Sequence, residues 1–351
     1  MAKTYRAAII GAGSARQGGQ YFGMGHLHAA GWAALDRVEL AAVADLKLDN
    51  AQALADRYAI PLTFTSHRKM LKEVKPDLVS VCTYPATHPA IVADCARAGV
   101  KAIHSEKPMA PTWAEARRMV AVCEKLGVQL TFGHQRRFLE PFRLAREMAH
   151  DGTIGELYRL EATCGNLMDW GTHWFDMLCF LNNETDIQWV IGQIDGRNDR
   201  AVFGLPHESQ GLSHFKFVNG VRGLLVTGHD ASLGADLKLL GTEGVLEIHN
   251  PFPHLRLLTS QRKGWKMIET KEGLHGGEAV SRGIADAVES LESGREPELA
   301  ARRALRSTEI IFATYESSRL RRRIDLPLKS RDSAFLTMLE QGTWPKGKAT
   351  S

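Results

Sequence analysis

The chain has 351 residues, a length that predicts about two domains. Apolar residues make up 44% and charged residues 24%, enough for a large buried core and too apolar for wholesale disorder. Lys+Arg (44) exceed Asp+Glu (40) by only +4, too mild and dispersed a charge for a nucleic-acid binder.

The chain opens with an apolar run at Tyr5–Ile10 that ends in Gly11-Ala12-Gly13. A strand running into Gly-x-Gly begins the first βα turn of a dinucleotide fold: one glycine permits the tight turn, and the next lets backbone approach a pyrophosphate. The third glycine of that fingerprint is displaced. Position 16 is Arg, and the next Gly-x-x-His-Ala stretch occupies residues 25–29, so the loop is about nine residues longer than the fingerprint requires. It is either a plain surface loop or a longer one folded over the cofactor phosphates, with Ser14, Arg16 and Gln17 as donors and Ala15 between them. A second strand at Val38–Ala44 ends at Asp45, whose carboxylate suits the two adenosine ribose hydroxyls and repels a 2′-phosphate. NAD is therefore expected over NADP, although Lys47 stands close by.

Helices are predicted at 49–58, before Pro76, at 91–98 and at Trp113–Leu126, with strands near Thr63 and at 77–82, 100–104 and 128–132. Strands alternating with helices predict an α/β Rossmann domain, a parallel sheet covered on both faces, over residues 1–133. From about Gly155 the texture changes. Alternating strands are predicted at 157–163, 189–194, 214–218, 222–227, 238–240, 245–248 and 255–258, with helices at 279–291 and 301–319. Residues 134–351 are thus expected to form an α+β domain whose large, mostly antiparallel open sheet rests on those two helices. Its other face needs a partner. Seven arginines between Arg302 and Arg323 fit a solvated helix or subunit contact better than an acidic partner, and the tail after Arg331 is expected to be loosely held.

The five cysteines, Cys82, Cys95, Cys123, Cys164 and Cys179, are odd in number and scattered, with no disulfide or zinc pattern. Reduced thiols, no metal site and a cytoplasmic location are expected. No apolar run approaches the roughly 20 residues of a membrane helix, and the opening residues lack the cleavage pattern of a secretory leader.

Asp169, His173 and Asp176 recur at i, i+4 and i+7, one face of a helix whose other positions carry Trp170, Trp174, Met177, Leu178 and Leu181. Such a helix is either a surface element with paired Asp and His or, because so apolar a segment must pack on most sides, one lining a cleft.

Gly-x-Gly, Asp45, Thr83 to His88, Glu106-Lys107-Pro108, His134-Gln135-Arg136-Arg137-Phe138, Asp169-x-Gly171-x-His173-x-x-Asp176, Gly241-Thr242-Glu243-Gly244 and Ile324-Asp325-Leu326-Pro327 follow in this order. Over nearly its whole length the chain resembles the glucose–fructose oxidoreductase / inositol 2-dehydrogenase / rhizopine-catabolism family. The resemblance implies oxidation of a secondary hydroxyl of a sugar, cyclitol or sugar derivative by NAD(P). Lys107 would hydrogen-bond the reacting hydroxyl, His173 would be the main acid/base, and Asp169 would orient substrate or histidine. It also implies cofactor contacts from Thr83, Tyr84, His88, Glu106, Lys107 and Gln135, a cis Lys107–Pro108 bond, and a homodimer or homotetramer formed through the C-terminal sheet. Arg136 and Arg137 are either linker charges or cofactor-side contacts.

The pattern is broken in places. Tyr84 replaces the usual proline of the Thr-Pro-Asn loop, with Pro85 in the asparagine place. RLEATCGNLMDWG is short where many relatives carry a long Gly-rich loop, so the pocket is either more open or completed by a neighbouring subunit. Two other readings stay open: a redox-neutral, NAD-dependent glycoside-cleaving enzyme, and a non-catalytic nucleotide sensor.

Overall fold

A computed structural model describes residues 4–15, 21–196, 201–228, 231–250 and 254–342. In chain order its elements are β1 (Tyr5–Ile10), β2 (Ser14–Ala15), β3 (Tyr21–Phe22), α1 (Met24–Ala33), β4 (Val38–Ala44), α2 (Leu48–Tyr58), β5 (Leu62–Phe64), α3 (His67–Val74), β6 (Leu78–Val81), α4 (His88–Arg97), β7 (Ala102–Ser105), α5 (Trp113–Leu126) and β8 (Gln129–Phe132). There follow α6 (Glu140–His150), β9 (Leu157–Cys164), α7 (Trp170–Leu181), β10 (Ile187–Asp195), β11 (Ala201–Val202), β12 (Leu205–Pro206), β13 (Gln210–Phe217), β14 (Arg222–Gly228), β15 (Leu237–Gly241), β16 (Gly244–Ile248), β17 (Leu255–Thr259), β18 (Lys266–Ile268), α8 (Gly277–Ser293), α9 (Ala301–Leu320), β19 (Ile324–Asp325) and α10 (Ala334–Glu340).

The residues form two compact units, one of 1–111, 115–135 and 276–304, the other of 112–114, 136–275 and 305–351. In the first, six parallel strands run in the order β5-β4-β1-β6-β7-β8. The strands are near-continuous apolar runs because helices cover both faces, and the strand order turns back beside β1. The expected boundary at 133/134 lies close to the passage at 135/136, but one helix was misplaced. α8 packs against the dinucleotide unit, not under the antiparallel sheet. Val280, Ile284 and Val288 share a core with Ala29, Trp32, Leu40 and Leu78. The approach needs a glycine on α1, since a Cβ at Gly31 would lie 2.7 Å from Ile284 Cδ1 and 3.3 Å from the backbone of Ser281. Apolar spacing marks which face a helix buries, not which sheet receives it.

In the second unit nine strands run in the order β18-β17-β16-β15-β9-β14-β13-β10-β19, antiparallel except for the β14–β9 pair. Burial alternates along β10, β13 and β15, so one face is core and the other is open. As expected, α9 packs on this sheet. The hydroxyls of Ser317 and Ser318 accept from the backbone N–H groups of Gly192 and Ile194, and Ser213 bonds Thr314 at 2.8 Å, supplying partners beyond the short strand β19. Most of the arginines counted near α9 are paired: Arg302 and Arg303 with Glu296, Arg306 with Glu184 and Asp186, Arg319 with Glu316 and Arg323 with Asp325. The tail expectation is corrected over 334–340. There α10 is capped by Ser333, and Phe335 is buried with its ring 5.3 Å from that of Tyr315. Among the described residues no helix is long and apolar enough to cross a membrane.

Candidate active site

The turn after β1 is built from glycine for steric reasons. Gly11 and Gly13 have φ of 93° and 85°, and a Cβ at Gly11 would stand 2.5 Å from the Cys82 carbonyl oxygen. The displaced third glycine is Gly25, in the first turn of α1, where a Cβ would lie 2.4 Å from the Gly11 oxygen. The extra residues make a hairpin, β2 pairing antiparallel with β3. Ser14 lies in it and is exposed, Ala15 contributes backbone, and Arg16 and Gln17 lie outside the described residues.

Asp45 closes the turn. Its Oδ2 accepts from the Ala12 N–H at 2.9 Å, and its Oδ1 accepts from the Lys47 N–H at 2.9 Å and Asn50 Nδ2 at 3.3 Å. Helix α1 begins at Gly23 with no side-chain cap and no acid in its first turn, so the amides and the positive dipole end face a ligand without competition. A dinucleotide fits these residues: the turn tolerates no side chain, the helix end favours a pyrophosphate, and Asp45 is fixed at the tip of the second strand.

The strand β7 delivers Glu106-Lys107-Pro108, and the Lys107–Pro108 peptide is cis, as expected. Glu106 is buried and anchored: its Oε1 lies 3.1 Å from His28 Nε2, and its Oε2 accepts from the Lys107 backbone N–H at 3.2 Å. Ser80 Oγ accepts from the Trp32 indole at 2.8 Å and lies 2.9 Å from His28 Nδ1. One assignment satisfies all of these bonds: Ser80 donates to Nδ1, and the Nε2 hydrogen goes to Glu106. Burial raises the Glu106 pKa, but the His28 hydrogen bond and the charge of Lys107 outweigh it and hold the carboxyl below its ordinary range. His104, 4.9 Å ring to ring from His28, is pushed down to about 3 by burial and then by His28, and its Nδ1 lies 2.9 Å from Thr131 Oγ1. Gly133 has to be glycine, because a Cβ there would lie 2.6 Å from Glu106 Oε1.

Three expected cofactor contacts sit in the neighbouring loop. Tyr84 is 65% exposed, and the Thr83 hydroxyl lies 2.7 Å from that of Thr87. His88 is fully buried with its ring nitrogens 3.0 Å from the Pro108 oxygen and 2.9 Å from the Thr83 oxygen, so it braces these two loops instead of facing a ligand. Burial lowers its pKa, and the neutral ring donates to one of the two carbonyls. Gln135 begins a short 3-10 turn and is half-buried.

In the second unit α7 begins just after Asp169 and is buried from Gly171 to Leu181, so it is not the surface element of the first alternative. Asp169 and His173 are both nearly enclosed, at 7% and 6% exposure. Asp176 serves another purpose. Arg137 grips it with two bonds, Nε to Oδ2 at 2.8 Å and Nη2 to Oδ1 at 2.7 Å, and also pairs with Glu184. Of the two arginines left open, Arg137 is thus a structural anchor. Arg136 lies under Trp174 and Trp170, with its guanidinium carbon 4.5 Å and 5.5 Å from the ring centres.

The turn entering α7 is held from outside its own sequence. Asn166 Oδ1 accepts from the Asp169 N–H at 2.7 Å, and the carboxylate of Glu208 accepts from the Leu167 N–H and from the Tyr315 hydroxyl at 2.9 Å. Burial raises the Glu208 pKa. Sequence reasoning missed His28, Ser80, His104 and Glu208. His28 stood within the Gly-x-x-His-Ala stretch, but a lone histidine on a helix carries no sign of a carboxylate that lies 78 residues further on.

Residues 5–134 match the sequence profile of an oxidoreductase family with an NAD-binding Rossmann fold. The D-apiose dehydrogenase of Paraburkholderia graminis is 24% identical over 97% of this chain and 94% of its own length. The D-glucoside 3-dehydrogenase of Escherichia coli is 35% identical over 47% of this chain and 46% of its own. Among solved structures, an oxidoreductase from Agrobacterium radiobacter in complex with NAD+, L-tartaric acid and magnesium superposes with a TM-score of 0.76 at 18% identity, covering 92% of this chain and 98% of that one.

Proposed function

We propose that the chain is a member of the glucose–fructose oxidoreductase / inositol 2-dehydrogenase / rhizopine-catabolism family of NAD-dependent oxidoreductases and oxidises a secondary hydroxyl of a sugar, cyclitol or sugar derivative, a reading its family-profile match and dehydrogenase relatives support. Bound NAD supplies the hydride acceptor. The chain's own part is to hold the substrate and move one proton. In this reading His173 takes the hydroxyl proton, Lys107 hydrogen-bonds the same oxygen and stabilises developing alkoxide charge, and Asp169 orients the histidine or the substrate.

The observation that carries the reading is the coupling of cofactor turn and catalytic loop in the first unit. His28 in α1 bonds Glu106, whose other oxygen accepts from the backbone of Lys107. The helix that receives the pyrophosphate is thereby tied to the residue bearing the ammonium. Asp45 is assigned to the adenosine ribose, which favours NAD over NADP. Thr83, Tyr84, Glu106 and Gln135 are assigned to the nicotinamide half, and Ser14, Ala15 and Arg16 to the phosphates.

The test is a panel of sugars and polyols followed by NADH absorbance with both cofactors. Net NADH formation is expected, and Lys107→Met and His173→Ala should each lower kcat by orders of magnitude with cofactor binding retained. Turnover near normal in either variant refutes the assigned roles. In calorimetry Asp45→Ala should weaken NAD more than NADP, and equal losses would remove the ribose assignment.

The reading extends to assembly. The outer sheet face carries Ile191 and Leu212, 42% and 41% exposed, and we assign it to a homodimer or homotetramer contact. A monomer in sedimentation at micromolar concentration would exclude that.

A further inference from the structure

The second unit buries two adjacent guanidinium groups and treats them differently. Arg137 receives the carboxylates of Asp176 and Glu184. Arg136 is only 3% exposed, yet among the described residues no oxygen accepts from it, and its enclosed Nη1 has no partner. It is flanked by indoles instead, 4.5 Å from the ring centre of Trp174 and 5.5 Å from that of Trp170. Burying a guanidinium without an acceptor costs several kcal/mol, which stacking on aromatic faces offsets only in part.

Two further observations say what the acceptor is. The rings of His275 and Trp170 stand nearly perpendicular with centroids 5.7 Å apart, and the His275 pKa is lowered by burial and then by the charge of Arg136. The neutral imidazole thus offers a hydrogen-bonding ring nitrogen, not a second charge, beside the same stack. Trp170 itself is 43% exposed, so the stack opens on solvent, and His173 follows Trp170 by three residues on α7. Burial pulls the Arg136 pKa down to about 10, with Cys164 and Asp236 acting through space in the other direction. A group so placed keeps its charge at neutral pH and still lacks the anion to match it.

We propose that Arg136 receives a carboxylate carried by the substrate, so that the preferred substrates are acidic sugars or polyols such as uronates and aldonates. A planar fork with its indole backing suits a two-oxygen planar anion. The proposal rests on the dehydrogenase reading above and narrows its substrate.

The full-length protein is assayed with D-glucuronate, D-glucose and D-glucose 6-phosphate, by NADH formation and separately, without NAD, by intrinsic tryptophan fluorescence. The wild type should favour glucuronate over glucose in kcat/KM. Arg136→Gln should reduce that preference by roughly 100-fold, mainly through KM, and Arg136→Lys, which keeps the charge without the fork, by roughly 10-fold. Should Arg136→Gln fail to fold, Arg136→Lys decides the matter. Equal use of glucose and glucuronate, or a preference unchanged in the variants, overturns the proposal, and a preference for glucose 6-phosphate overturns the carboxylate. If no sugar reduces NAD, the dehydrogenase reading falls and fluorescence decides. A saturable change with glucuronate that the substitutions weaken sustains the carboxylate site, and its absence refutes it.

Discussion

The turn after β1 and the face of α7 solve opposite problems. The turn must bring backbone close to a ligand, and it does so with Gly11, Gly13 and Gly25, each placed where a Cβ is strained or would meet a carbonyl. The face of α7, in the proposed reading, recognises through side chains. There two arginines one residue apart have opposite fates, Arg137 locked to Asp176 and Arg136 left under two tryptophans. A ligand read by backbone leaves glycines in the sequence; a ligand read by side chains leaves residues whose meaning depends on partners far along the chain.

The largest test of this contrast is Arg137→Met. If Arg137 is a structural anchor, the variant strands Asp176 in an enclosed site, while Glu184 keeps Arg306, and should cost about 3–5 kcal/mol in urea unfolding. A loss under 1 kcal/mol would put Arg137 in the same class as Arg136 and erase the distinction. Gly25→Ala tests the other region. The new methyl meets the Gly11 and Ala12 carbonyl oxygens at 2.4 Å and 2.7 Å, both of them backbone, so relief requires the turn to move. A loss of about 1–3 kcal/mol is expected, with weaker NAD binding in calorimetry. Unaltered NAD affinity would show that the turn does not need its close helix contact.

Much of the first unit was legible for a physical reason. Parallel strands buried on both faces are apolar runs, and their order with the helices follows from local pattern alone. Asp45 was legible because a strand end fixes its place. The destination of α8 was not, since its apolar face fits either sheet equally well and the choice rests on Gly31 meeting Ile284. The partner of Asp176 was hidden for a similar reason: spacing places Asp176 on one face with His173, while Arg137 approaches from a turn that spacing does not see. The pairing of His28 with Ser80 and Glu106 joins three strand and helix ends, and no single stretch of sequence records it.

That pairing gives an effect with a characteristic pH dependence. His28→Leu keeps the apolar volume but leaves Glu106 and Ser80 each short of a partner, for an expected loss of about 1–3 kcal/mol at neutral pH. The sign with pH follows from the carboxyl. Glu106 is held below its ordinary value of 4.5 because the His28 hydrogen bond, with the charge of Lys107, overcomes the effect of burial. A carboxyl depressed in the folded state stabilises fully above its unfolded pKa, and that stabilisation fades as the pH falls through the folded one. The gap between wild type and His28→Leu should therefore be widest near pH 7 and narrow steadily below about pH 4.5. Urea unfolding at a series of pH values reads it directly. A gap that stays constant down to pH 3 would mean that His28 acts on Glu106 through packing alone, and the tie between α1 and the Lys107 loop would lose its electrostatic basis.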